Sequence, residues 1–233
     1  MDNPAERLLR ILESAKNYPA KQHHAASAWK SIFGLQEELQ IPAKLGGLYV
    51  LASRVSKEMV DRSPSSAKVA AHLNNCMLRM CHGRLNEPWE ETSKYIDEHT
   101  IEYLRMHANF SKSFLKNREI DQNDFLKARS ALEDAISEIS RSNLSLDSKN
   151  LIIRRIRDIL IAIDNFAITG QEAVFDAFKI AIIDLNNDLS DDNLPGKSSL
   201  REGLSTIADL LQVATAVPTL SPPVKQIIEF LLK

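Results

Sequence analysis

Apolar residues recur at intervals of three and four along most of the chain, and alternating runs of β-branched residues are nearly absent. This pattern predicts an all-α protein. The breakers place helices near residues 4–16, 22–33, 42–62, 65–82, 88–116 with a break inside it, 122–141, 147–169, 171–187, 198–217 and 223–232. The fold expected is therefore a multi-helix bundle of about nine or ten helices.

The most regular stripes lie in the second half. Phe125, Ala128, Leu132, Ala135 and Ile139 form one, and Ile152, Ile156, Ile159, Ile163 and Phe166 form another. Only the turn "SNLSLDS" separates them, so the two helices are expected as a central antiparallel hairpin. Gly170 in "AITGQEA" is expected to end the second helix in a left-handed C′ conformation, before a third helix carrying Val174, Phe178, Ala181 and Leu185. Three regions follow: 1–116 as an N-terminal helical region, 117–190 as a central three-helix unit, and 191–233 as a linker with apolar C-terminal helices.

Composition changes this picture little. A 233-residue chain with 44% apolar and 26% charged residues can bury a substantial core. Its 29 basic and 31 acidic residues leave a net charge of −2, so no general field draws in phosphate backbones, and nucleic acid is disfavoured as a partner. The chain opens "MDNPAERLLR", which reads as a helix start with Asn3 as cap, Pro4 in the first turn and Glu6 closing a capping box, rather than as an export signal. A cytoplasmic protein is expected, and two cysteines in a chain of this length agree with a reducing compartment.

Candidate chemistry concentrates in "NNCMLRMCHGRL", residues 74–85. Residues on a helix advance by about 100° each, so Cys76 and Cys81 point roughly 140° apart and share neither a metal nor a disulfide. Both are expected as small buried hydrophobes among Leu73, Met77, Leu78 and Met80, with His82 facing the negative helix end and Gly83 as C-cap. His23 and His24 have no partner at a spacing of three or four, and His99 and His107 lie two turns apart, about 12 Å along the axis. The two cysteines and six histidines are read as lacking ligand spacing within any helix. No metal or other cofactor is expected.

Other motifs read as structure. "GKS" at 196–198 lacks the earlier glycine of a phosphate loop, because Asp191 stands there. "DLSDDNLPGKSS" reads as a polar linker without calcium-loop spacing, with Ser198 or Ser199 capping the next helix. In "RRIRD", Arg154 and Asp158 are expected to pair across a turn. The tail from Leu200 is apolar around much of its circumference, interrupted by Asp209 and Pro218 and too short to span a bilayer, and it closes on an amphipathic element with Val224 and Leu232. Ile207, Leu211, Ile227, Ile228 and Leu231 are the candidate partner-binding residues, expected to be covered by the chain itself, a homo-oligomer or another protein.

The segments "NPAERLLRILESAKNYP" and "ALEDAISEISRSNLSLDSKNLIIRRIRDILIAIDNFAITGQEAVFDAF" resemble a diffuse group of uncharacterised all-helical bacterial proteins, in which a hairpin ends in an aromatic, an "ITG" or "IRG" turn and a further helix. The resemblance implies a bacterial origin and a setting beside mobile elements and phage defence. It brings no catalytic residues. The function expected is a non-enzymatic protein-interaction module, an accessory, immunity or regulatory component. The alternatives are a membrane-acting effector using the apolar tail, and an enzyme whose site assembles only in the fold, for instance around His107, Asp158 and Asp164.

Overall fold

A computed structural model of the chain describes residues 3–19, 23–112, 120, 122–185 and 194–215. Among them are eleven α-helices, nine of at least seven residues, and no strand. The protein is an all-α, multi-helix bundle with an antiparallel hairpin, and it divides into two compact units, Asn3–Lys116 and Asn117–Lys233.

The first unit contains α1 (Pro4–Asn17), α2 (Ala25–Ile32), α3 (Ile41–Arg62), α4 (Ala67–Cys81), α5 (Trp89–Ser93) and α6 (Glu98–Lys112). Asn3 caps α1 by accepting from the Glu6 N–H at 3.3 Å, and its side-chain amide donates to the Ala108 carbonyl at 3.0 Å, tying α1 to α6. The Glu6 carboxylate turns to Arg10 and Lys112. The long helices pack α1 on α6 and α3, and α4 on α3 and α6, around Leu8, Leu12, Leu48, Met77, Met80 and Leu104. Trp29 and Trp89 meet edge-to-face with centroids 5.1 Å apart, where an isolated bridge between His24 and Pro88 joins α2 to the loop before α5.

The helix expected over 88–116 is broken where Asp97 accepts the Thr100 N–H at 2.7 Å, so that "IDEHT" caps a new helix instead of continuing the old one. The later part of that span, from residue 113, lies outside the described residues. The expectation for Gly83 fails: the C-cap of α4 is His82, and Gly83 is not among the glycines of positive φ.

The second unit is built on α7 (Leu126–Arg141) and α8 (Leu146–Asp164), joined by a turn in which the Ser145 side chain caps α8. A short α9 (Phe166–Thr169), α10 (Gln171–Asp184) and α11 (Lys197–Thr215) complete it. The chain leaves α8 at Asn165, whose side-chain amide bonds back to the Ile161 carbonyl at 2.8 Å. Gly170 does have positive φ (75°), but its ψ of −171° is extended rather than left-handed helical, a conformation essentially reserved for glycine. The expected stripes are all buried: Phe125 at the cap of α7 with Ala128, Leu132, Ala135 and Ile139 along it, Ile152, Ile156, Ile159 and Ile163 on α8 with Phe166 opening α9, and Val174, Phe178 and Ala181 on α10 with Leu185 at its end.

The described part of the tail joins this core. Leu200, Leu204 and Ile207 are fully buried, and α11 packs along α7, making α7 and α8 the inner pair between α11 and α10. Neither Ser198 nor Ser199 caps α11, which begins at Lys197, and the Ser199 hydroxyl donates to Glu138 at 3.0 Å. Asp158 pairs with Arg155 rather than Arg154, because Arg155 is also held by Asp184 of α10 at 2.6 Å. Asp209 lies within α11 and does not interrupt it, while Pro218 and the element expected over 223–232 lie outside the described residues.

Two helix glycines separate two effects. At Gly203 an added Cβ would stand 2.8 Å from Leu132 Cγ and Cδ2 and 3.2 Å from the Ala128 carbonyl, so α11 and α7 approach closely because this residue lacks a side chain. At Gly46, inside α3, an added Cβ meets nothing within 4 Å. Gly203→Ala is expected to destabilise by about 1–2 kcal/mol, overpacking outweighing the gain in helix propensity, and Gly46→Ala to stabilise by about 0.5–1 kcal/mol. Urea unfolding of the two variants checks the opposite signs. Truncation after Leu194 removes α11 and bares Ala128, Leu132 and Ala135, so size-exclusion chromatography is expected to show aggregated or partly unfolded chain.

Candidate functional site

The stretch around the cysteines becomes α4, whose phase sends the two thiols to different neighbours. Cys76 donates to the Tyr95 carbonyl at 2.9 Å, and Cys81 to the Leu45 carbonyl of α3 at 3.5 Å. Leu73, Met77 and Met80 are buried with Cys76 as expected, whereas Leu78 is exposed, as is His82. Burial pushes both thiols up to about 12, the nearby Asp97 carboxylate adding to the effect at Cys76. Near neutral pH these are hydrogen-bonding thiols rather than nucleophiles.

Contrary to expectation, one pair does stand at ligand spacing. His72 and Cys76 are four apart on α4 and share a face that also carries Asn75 and Arg79. Opposite them, the turn between α5 and α6 supplies Lys94, Tyr95 and Asp97, and together these residues line a shallow cavity of about 290 Å³. His72 Nε2 lies 2.7 Å from Asp97 Oδ2. Partial burial disfavours the Asp97 carboxylate, but the Thr100 N–H and the His72 imidazole outweigh that effect and hold its pKa below the usual range. Arg79 and Lys94 both lie over the Tyr95 ring, 5.5 and 5.6 Å from its centroid. Among the described residues, no group of three or more His, Cys, Asp or Glu is arranged to hold a metal ion.

His72 also borders a tight crevice between α4 and α6, walled by Val69 and Leu73 on one side and Thr100, Tyr103 and Leu104 on the other. Beyond this seam α6 carries a second stripe, absent from the sequence-based expectations. His99, Tyr103, Met106 and Phe110 follow the same helical spacing as a core face, yet Tyr103, Met106 and Phe110 are 42%, 67% and 55% exposed. The charges beside the stripe on its α1 side are neutralised within the chain: Arg105 bonds Glu102 and Glu13, Lys16 bonds Glu98, and Lys112 bonds Glu6. A second groove, of about 390 Å³, lies between α3 and the end of α4 and is lined by Leu45, Gly46, Tyr49, Cys81 and Leu85 among others.

Of the remaining sequence candidates, the two carboxylates of the second unit are held by separate arginines. Asp164 pairs with Arg129, and Asp158 with Arg155, in the second unit. His107 belongs to the first unit, where burial and then the Arg62 cation lower its pKa against the opposing pull of Glu58. Ile207 is fully buried in the second unit's core and is closed to a partner while that unit is folded. The side chain of Leu211, and Ile227, Ile228 and Leu231 entirely, lie outside what is described. Among the described residues no helix is long and apolar enough to cross a membrane. Compared with known proteins, the chain matches no family model, no curated protein and no solved structure.

The thiols give a direct test. Unfolded cysteine ionises near 9 and these two near 12, so their contribution to stability is complete below pH 9 and declines as pH rises from 9 toward 12. A thiol reagent at pH 8 is expected to label neither cysteine in the native chain on the timescale that labels both in guanidinium. Chemical unfolding at rising pH should show stability falling above pH 9, with a shallower fall in Cys76→Ala.

Proposed function

We propose that this chain is a helical protein-interaction module that engages its partner through the exposed face of α6. The observation that carries this reading is the run of Tyr103, Met106 and Phe110 along one side of a well-packed helix, none of them buried by the chain's described residues. Tyr, Phe and Met are the residue types enriched where protein surfaces meet, because they cover large area at modest entropic cost. The opposite side of α6, with Ile101, Leu104 and Ala108, is buried, so the stripe is held on a fixed scaffold.

The electrostatics support binding over catalysis. Both thiols are held protonated, and the carboxylates weighed as catalytic groups, Asp158 and Asp164, are held by arginines. A role as an accessory, immunity or regulatory component beside bacterial defence genes rests on the sequence resemblance alone.

Cross-linking the full chain in the cells that encode it, then identifying and purifying what is attached, provides a partner for titration. Met106→Glu places a charge in the middle of the stripe at an exposed position and should leave the fold intact. It is expected to weaken binding by about 2 kcal/mol, or about thirtyfold. Equal affinity of wild type and variant would remove α6 as the docking face.

A further inference from the structure

The charge on either side of the α6 stripe is not the same. On the α1 side, Glu102 and Glu13 share Arg105, and Glu98 is held by Lys16, which leaves that flank neutral to slightly acidic. On the α4 side, Lys68, His72, Asn75 and Arg79 repeat at intervals of four, three and four, and all four are exposed. Asp97 is bound to His72, Arg79 lies over Tyr95, and neither Lys68 nor Arg79 has a carboxylate partner among the described residues. Tyr103 and His72 both border the crevice at the α4–α6 seam and Arg79 lies over Tyr95 in the turn before α6, so the basic track meets the aromatic track at its His99–Tyr103 end.

From this asymmetry we propose that the occupant of the face is an amphipathic helix of a protein partner, with its apolar stripe seated on Tyr103, Met106 and Phe110 and an acidic edge lying over Lys68, His72 and Arg79. The inference rests on the reading of α6 as a docking stripe. From His99 to Phe110 the stripe runs about 16 Å, three turns, and a helix about 10–12 Å across seated on it overhangs the neighbouring helix. Its edge then comes within reach of the long Lys68 and Arg79 side chains, whereas basic groups at that edge would meet two cations that have no carboxylate partner among the described residues. Complementary charge of this kind sets the register of a helix in a groove and excludes wrong partners.

The test uses the full chain and two synthetic peptides of about 18 residues with the same leucine stripe. One carries glutamates at the flanking positions, the other lysines. Fluorescence anisotropy at low salt is expected to show the glutamate peptide binding about tenfold more tightly, with the advantage shrinking as salt rises. The double variant Lys68→Glu with Arg79→Glu should reverse the preference while leaving thermal melting unchanged, and Met106→Glu should abolish binding of both peptides. Equal binding of the two peptides, binding of neither, or a glutamate preference that survives the charge reversal would overturn the acidic partner. So would anionic phosphatidylglycerol vesicles binding in place of the peptides, or a dimer of the chain that Met106→Glu dissolves. If Met106→Glu releases the cellular partner while the peptides show no preference, α6 still docks a protein and only its acidic character is lost.

Discussion

The first unit depends on α4 satisfying more than one neighbour at once. A helix turns about 100° per residue, and the five-residue step from Cys76 to Cys81 sends one thiol to the Tyr95 carbonyl and the other to the Leu45 carbonyl of α3. Between them Leu73, Met77 and Met80 fill the core. The face of α4 left to solvent carries Ala67, Ala71 and Leu78, with Lys68, His72, Asn75 and Arg79 along one edge of it. The divergence that rules out a disulfide is what pins α4 between its neighbours. It also fixes the direction of the basic strip.

The second unit meets the same demand by a different route. The inner helix α7 presents Phe125, Ala128, Leu132 and Ala135 to its neighbours, and small residues let α11 approach closely enough for a Gly203 Cβ to collide with Leu132. A close backbone approach converts missing side-chain volume into packing along the whole pair, and the cost is a helix glycine. The basic and acidic residues outside this core form solvated ion pairs such as Arg129–Asp164 and Arg155–Asp184, which contribute little to stability. They fix helix register more than they hold the unit together.

Periodicity makes much of this legible in the amino-acid sequence. The stripes at Phe125–Ile139 and Ile152–Phe166 are the buried faces because a core stripe is written along one helix, with no reference to distant residues. A break inside 88–116 is legible, but its place at Asp97 is harder to see, since capping by "IDEHT" competes with an apolar rhythm that runs through it. His72 and Cys76 carry a recognisable spacing, but the adjacent "CH" at 81 and 82 is the more conspicuous signal and masks it. The ring and carboxylate they face, Tyr95 and Asp97, come from a turn whose position only the fold determines. The α6 stripe is hidden for a related reason: its hydrophobic residues look like core residues, and sequence alone does not say that α6 has already buried another face.

That second face bears on what kind of surface the first unit offers. Burial of Ile101, Leu104 and Ala108 already satisfies the need of α6 to leave water, so Tyr103, Met106 and Phe110 add exposed apolar area without adding to the core. The ion pairs on the α1 side keep Arg105 and Lys16 close to their own carboxylates, and the flank contributes little net field. The α4 side is different, because Lys68 and Arg79 have no carboxylate partner among the described residues, and this basic edge reaches the stripe where His72 and Tyr103 share the seam. An apolar stripe alone gives affinity without direction, for a helix could lie on it either way and in several registers. A charged edge on one side only makes those arrangements unequal, and it does so by the placement of two long, exposed side chains on a strip that α4 had left over.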